Sequence, residues 1–125
     1  MSHSALLDGM VVLDVTQVMA GPYCAMLLRD MGARVIKVEP PGGDSTRAMA
    51  GSTGDDSPAF NAVNRGKLGI VLDLRQPAGH DALIRLARTA DVLIENYRPG
   101  VMTRLGLDYP TLAAVNPRLY RNRSA

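Results

Sequence analysis

Two kinds of apolar pattern alternate along the first half of the chain. Residues 10–15 (MVVLDV) are short, β-branched and almost wholly apolar, which predicts a strand covered on both faces, as in a parallel sheet. Gly21-Pro22 then predict a tight turn, with the proline at the first helical position, where its missing N–H costs nothing. Tyr23, Met26, Leu27 and Met31 recur at helical spacing, with Arg29 and Asp30 turned the other way. Gly32 is expected to close this helix as a left-handed cap, and residues 33–39 (ARVIKVE) form the next strand. Strand, helix and strand together span about thirty residues, the length of one right-handed βαβ unit.

Residues 40–64 lose that regularity. They are rich in Gly, Pro, Ser, Thr and Asp and keep no period, which predicts an irregular segment, functional or mobile, with a disordered connector as the alternative. Residues 68–74 (LGIVLDL) read as a third strand, in which Gly69 either weakens the strand or lets another backbone approach. Gln76-Pro77 opens a helix over about residues 78–89, with Ala82, Leu83, Leu86 and Ala87 on its apolar face and His80, Asp81, Arg85 and Arg88 on the polar one. Residues 91–95 (DVLIE) are a fourth strand leading into a turn at Asn96. A short helix is expected around residues 101–105, and another from Tyr109-Pro110 through Val115. The fold class is therefore α/β: one domain over residues 1–125, a Rossmann-like parallel sheet with flanking helices.

Composition narrows the function. A chain of 125 residues has room for one core and no second domain. Hydrophobic residues at 46% and charged residues at 21% match globular usage and disfavour disordered and fibrous classes. Aromatic content of 4% weakens base stacking, and the net charge of +2 is spread between acidic residues, so the bias is towards small anions and no nucleic-acid partner is expected. Cys24 stands alone among apolar neighbours, which points to a buried structural thiol in a reducing, cytoplasmic setting. No run approaches the about eighteen apolar residues of a membrane span, and the first ten residues lack the order of a signal peptide. A soluble protein with no membrane partner is expected.

Ligands of open parallel sheets collect at the carboxyl ends of the strands. Those ends hold residues 16–19, Glu39 and Pro40, residues 73–75 and residues 96–98. The G-x-G-x-x-G fingerprint and the P-loop are both absent, which removes the main support for nicotinamide, flavin and nucleoside triphosphate ligands. Asp14 and Asp91, inside and at the start of strands, are expected to hydrogen-bond structurally. Glu39 and Glu95 end strands, where ligand contact is open to them, but neither has a histidine nearby. His3 and His80 support neither a zinc site nor a catalytic triad, so no metal is expected.

The ordered series LDGMVVLDVTQVMAGPYCAMLLRDMGARVIKVEPPGGDSTR, FNAVNRGKLGIVLDLRQPAG and ADVLIENYRPGVMTRLGLDY, over residues 7–119, resembles the N-terminal region of the family III CoA-transferases, the CaiB/BaiF group that includes formyl-CoA transferase. The resemblance implies that coenzyme A (CoA), or an acyl-CoA, lies across this domain. Carried over by position, its contacts are Val18, Met19 and Ala20; Leu72, Asp73, Leu74 and Arg75; Asn96, Tyr97 and Arg98; and Arg104. Where some relatives place an arginine after the second strand, this chain has Pro40. The plainer readings are that Arg104 is a solvated helix residue, Asn96 a turn former, Arg75 a neutraliser of Asp73, and Val18, Met19 and Leu72 core or wall.

The resemblance further implies transfer of CoA from an acyl-CoA to a carboxylic acid through a covalent Asp intermediate, in a homodimer of interlocked chains. In relatives the nucleophile follows a strand beyond the Asn-Pro-Arg-Leu pattern, present here as residues 116–119, whereas residues 120–125 (YRNRSA) depart from the apolar strand expected next. The expectation is a partial domain that keeps the CoA surface, lacks the nucleophile and is inactive alone. The alternatives are a fragment like the α-methylacyl-CoA racemases, and a non-catalytic CoA-binding or interaction remnant.

Overall fold

The computed structural model describes residues 3–49, 51 and 57–123. Five strands, β1 (Val11–Asp14), β2 (Arg34–Glu39), β3 (Leu68–Val71), β4 (Val92–Glu95) and β5 (Tyr120–Arg123), form one all-parallel sheet in the order β3-β2-β1-β4-β5. The helices are α1 (Ala20–Asp30), α2 (Pro58–Asn64), α3 (Pro77–Ala87), α4 (Val101–Arg104) and α5 (Tyr109–Val115).

Alternation along the central strands divides the core into two layers. Leu13 and Leu93 point to one face, where Leu83 and Ala87 of α3, Met102 of α4 and Leu112 of α5 meet them. Val12 and Ile94 point to the other and pack with Ala25 of α1, Ala33 and Val35. The continuous apolar run of β1 is thus explained by burial on both sides. Cys24 is a half-buried free thiol against this second layer.

Helix α1 starts at Ala20, so Gly21 and Pro22 lie inside its first turn and not in a turn before it. Gly21 is required by proximity: a Cβ there would stand 2.4 Å from Cβ of Thr16. Gly32, with φ +108, does supply the left-handed residue that ends the helix.

Three segments depart from the sequence expectation. The stretch 40–64 is ordered where described, although Ala50 and residues 52–56 lie outside the described residues. Asp44 caps a 3-10 turn (Ser45–Ala48), and the Ser57 hydroxyl accepts from Phe60 N (3.0 Å) ahead of Pro58, which starts α2. Strand β3 ends at Val71, not at residue 74. One more ladder bond, Leu72 N to Glu39 O (2.9 Å), follows before the chain turns at Asp73. The polar run after residue 119 forms β5, whose described part pairs with β4 from Tyr120↔Val92 to Arg123↔Glu95; residues 124 and 125 lie outside the described residues. An edge strand keeps its side chains partly in water, so its polarity costs little, and Arg121 Nη2 reaches Glu95 Oε1 at 2.8 Å.

Candidate functional site

Strand order reverses between β1 and β4: β2 and β3 continue to one side and β5 to the other. The crevice beyond the carboxyl ends of these two strands is where such sheets take ligands. Here it opens into a cleft of about 200 Å³ walled by Gln17, Val38, Pro40, Leu72, Asp73, Leu74, Arg75, Tyr97, Val101 and Leu105. A groove of about 400 Å³ continues from it over Leu74, Arg75, Val101, Leu105 and Arg104.

The fold therefore gathers Leu72, Asp73, Leu74 and Arg75 from the exit of β3, Tyr97 from the exit of β4 and Arg104 from α4 around one continuous surface. Val18, Met19 and Ala20 are exposed on the stretch after Gln17 and do not line it. Arg98 is exposed in the turn after Tyr97, also outside the lining. Asn96 is half-buried, and its side chain turns to the backbone of Gln17. Sequence reasoning missed Val38, Val101 and Leu105. The last two, the first residue of α4 and the residue that caps its end, stand four apart, a helical spacing that would have revealed them.

The approach of α3 shapes the β3 side. A Cβ on Gly79 would sit 2.0 Å from the carbonyl oxygen of Asp73, so only glycine lets the first turn of α3 press on the strand exit. Arg75 folds back over the same turn, with Nε 3.0 Å from Asp73 Oδ1 and Nη2 3.2 Å from Oδ2. Those hydrogen bonds hold the Asp73 carboxyl below its usual range. Arg98 and Arg104 have no ion-pair partner among the described residues, which leaves two cations uncommitted beside the cleft. Burial, with the charge of Glu95 second, pushes the Tyr97 phenol up, so it remains a neutral hydroxyl at the wall.

The loop after β1 is held firmly. Asp14, fully buried, accepts from Thr16 N (3.0 Å), from the Thr16 hydroxyl and from Lys67 Nζ (2.7 Å). Lys37 Nζ donates to Thr16 O at 3.0 Å and lies 3.0 Å from Asp44 Oδ2. Val18 follows with φ +75, a left-handed conformation that costs a β-branched residue about 1–3 kcal/mol.

Among the described residues, the carboxylates within or at the ends of the strands are all engaged. Glu39 makes a paired contact with Arg47 (2.8 and 2.7 Å), and Glu95 accepts from Tyr97 N (2.9 Å) as well as from Arg121. Asp91 accepts from Val11 N (2.8 Å). Asp14 and Asp91 thus serve the scaffold, and Glu39 and Glu95 do so too, although their strand ends left ligand contact open. Among the described residues no group of three His, Cys, Asp or Glu is placed to hold a metal, and no helix is long and apolar enough to cross a membrane. An apolar wall flanked by arginines suits a ligand with a long uncharged part and anionic ends.

Comparison with known proteins places the chain in a family. The sequence profile of CoA-transferase family III matches residues 7–121. The chain is 51% identical over 113 residues to the acetyl-CoA:oxalate CoA-transferase of Acetobacter aceti, covering 90% of this chain and 29% of that protein. It is 48% identical over 118 residues to the succinyl-CoA:mesaconate CoA-transferase of Haloarcula hispanica, covering 90% and 30% respectively. The CaiB/BaiF family protein from Brucella suis superposes with a TM-score of 0.90 at 40% identity, over 95% of this chain and 33% of that one. The chain thus spans about a third or less of the length of the relatives it matches.

Proposed function

The chain belongs to CoA-transferase family III, and from that premise we propose that it forms the CoA-binding part of an enzyme that moves CoA from an acyl-CoA to a carboxylic acid. The observation that carries this reading is the switch-point cleft, with Leu72, Leu74, Val101 and Leu105 as its apolar wall and Arg75 and Arg104 at its edge. CoA has the matching form: an uncharged pantetheine arm joined to phosphates that arginine can grip with paired hydrogen bonds.

The acceptor class is a small dicarboxylic acid. Relatives are named for oxalate, mesaconate and glutarate, which share that chemistry. In the proposed reaction an aspartate carboxylate attacks the thioester carbonyl and expels CoA thiolate, leaving a mixed anhydride. The thiolate then attacks the aspartyl carbonyl, releasing the donor acid and forming an enzyme-bound CoA thioester. The acceptor carboxylate repeats the two steps in reverse order, and a carboxylate suits the work because it is ionised near neutral pH. No residue of this chain is assigned as that nucleophile, since each carboxylate at or below the cleft already holds a cation or a backbone N–H. The interlocked homodimer implied by the resemblance is part of the same proposal for the whole protein.

Titration calorimetry of the purified chain with CoA tests the reading. Saturable binding at one site is expected, weakened about tenfold by Arg104→Ala, the scale of one charge-assisted hydrogen bond. An absence of saturable heat would overturn it. Thioester exchange between an acyl-CoA and oxalate at an ordinary enzyme rate by this chain alone would overturn the assignment of the nucleophile elsewhere.

A further inference from the structure

Asn96 follows β4 directly, yet its side chain leaves the cleft and grips the backbone of a residue 79 positions away. Gln17 N donates to Asn96 Oδ1 at 3.1 Å, and Asn96 Nδ2 donates to Gln17 O at 2.8 Å. One carboxamide thus satisfies both polar groups of a single residue that carries no secondary structure. On the near side, Thr16 is fully buried and pinned through its N–H, hydroxyl and carbonyl to Asp14 and Lys37. On the far side, Val18 has φ +75. Gln17 itself walls the cleft.

We propose that Asn96 is a positioning residue for CoA binding: acting through the backbone of Gln17, it fixes the β1 side of the cleft without touching the ligand. The affinity half of this inference rests on the proposed CoA binding; the clasp rests on the geometry alone. The chemistry demands a carboxamide. Gln17 N–H needs an acceptor and Gln17 C=O needs a donor, and only Asn among side chains of this length offers both across one planar group. An ionised Asp keeps the acceptor and sets a negative oxygen against the carbonyl.

The test measures amide hydrogen exchange by NMR in the CoA-free chain, and CoA affinity by calorimetry, for the unaltered protein, Asn96→Ala and Asn96→Asp. In Asn96→Ala the Gln17 amide is expected to exchange about tenfold faster or more, while the amides of Val12 and Leu93 in the central strands keep their protection. CoA binding weakens about tenfold in parallel. Uniform acceleration at all three amides would mean that Asn96 only stabilises the fold. An unchanged Gln17 amide with weakened CoA binding would mean that Asn96 touches CoA directly. Either result overturns the proposal.

Should Asn96→Ala fail to fold, Asn96→Asp decides. The Gln17 amide bond is retained there, CoA affinity still falls because the carbonyl is repelled, and affinity equal to the unaltered chain overturns the proposal. If the unaltered chain binds no CoA, the proposed function and the affinity half fall together. The exchange rates, measured without ligand, still decide the clasp.

Discussion

Lys67 Nζ lies 2.7 Å from Asp14 Oδ2, with both side chains withdrawn almost completely from water and 53 positions of sequence between them. The same ammonium donates to Pro22 O (2.9 Å) and Asn64 Oδ1 (2.8 Å), so all three of its protons are used. Burial pushes its pKa down, and the Asp14 charge recovers only part of that. Asp14, Lys37, Asp44, Lys67, Glu39 and Arg47 make a set of three anions and three cations beside the loop after β1. Removing one member unbalances it. Lys67→Met is expected to lower the unfolding free energy by about 3–5 kcal/mol, the usual cost of orphaning one partner of a buried pair. Urea denaturation checks this. A loss below about 1 kcal/mol, as for exposed pairs, would show that water reaches Asp14.

Acid should act on the same set. Hydrogen bonding by Arg47, working against burial, holds the Glu39 carboxyl below its usual range. At Asp44 burial opposes ionisation, but hydrogen bonds from Thr46 N and Oγ1, with Lys37, outweigh it, and that carboxyl is lowered too. A carboxyl lowered in the folded state binds its proton more weakly there than in the unfolded chain. The stability it contributes is full above the unfolded value, about pH 4, and is lost as pH falls through the folded one. The part of the unfolding free energy that these two carboxyls contribute should therefore hold steady from pH 7 to about 5 and fall below about 4. In Arg47→Met the acid fall should be shallower, because Glu39 loses the main cause of its shift. Urea titrations at stepped pH measure both slopes, and equal slopes would remove Glu39 from the account.

The ion-pair set also explains what could be read from the sequence. The strands β1, β2 and β4 and the helices α1 and α3 announced themselves because their burial follows a local period: Val12 and Leu13 divide between two layers, and Leu83 and Ala87 share a face. The stretch 40–64 carries no such period. Its described parts are fixed by polar contacts of Arg47 with Glu39, Ser57 with Thr46 and Asp44 with Lys37, which follow no local period. Strand β5 was hidden because an edge strand need not be apolar. At the site, topology alone brought Leu72, Arg75, Tyr97 and Arg104 to one surface. The direction of the Asn96 side chain was beyond reach, since a turn-forming asparagine and one that clasps another loop have the same sequence.

Two glycines separate close approach from mere flexibility. Gly79→Ala sets a Cβ 2.0 Å from the Asp73 carbonyl oxygen, a backbone atom that moves only if α3 or the strand exit moves. A loss of about 1–3 kcal/mol is expected, with weaker CoA binding, because Asp73, Leu74 and Arg75 shift with that turn. Gly69 has open space beyond its Cα and no positive φ, so Gly69→Ala in β3 should be neutral or stabilising by about 0.5 kcal/mol. Thermal unfolding of the two variants tests the contrast. Equal melting temperatures would mean that α3 yields freely at Asp73.

The two cleft arginines should contribute unequally to anion binding. Arg75 is already shared with Asp73 through two side-chain hydrogen bonds, and must give up some of that contact to reach a phosphate. Arg104 is exposed and has no ion-pair partner among the described residues, so its guanidinium is available as it stands. Arg104→Ala is therefore expected to weaken CoA binding about tenfold and Arg75→Ala about threefold, the difference being the pairing that Arg75 surrenders. Both losses should shrink as salt rises from about 0.05 to 0.5 M, because the screening length falls well below 10 Å. Calorimetry at the two ionic strengths decides. A larger loss for Arg75→Ala would show that Asp73 orients the Arg75 guanidinium towards the ligand instead of competing for it.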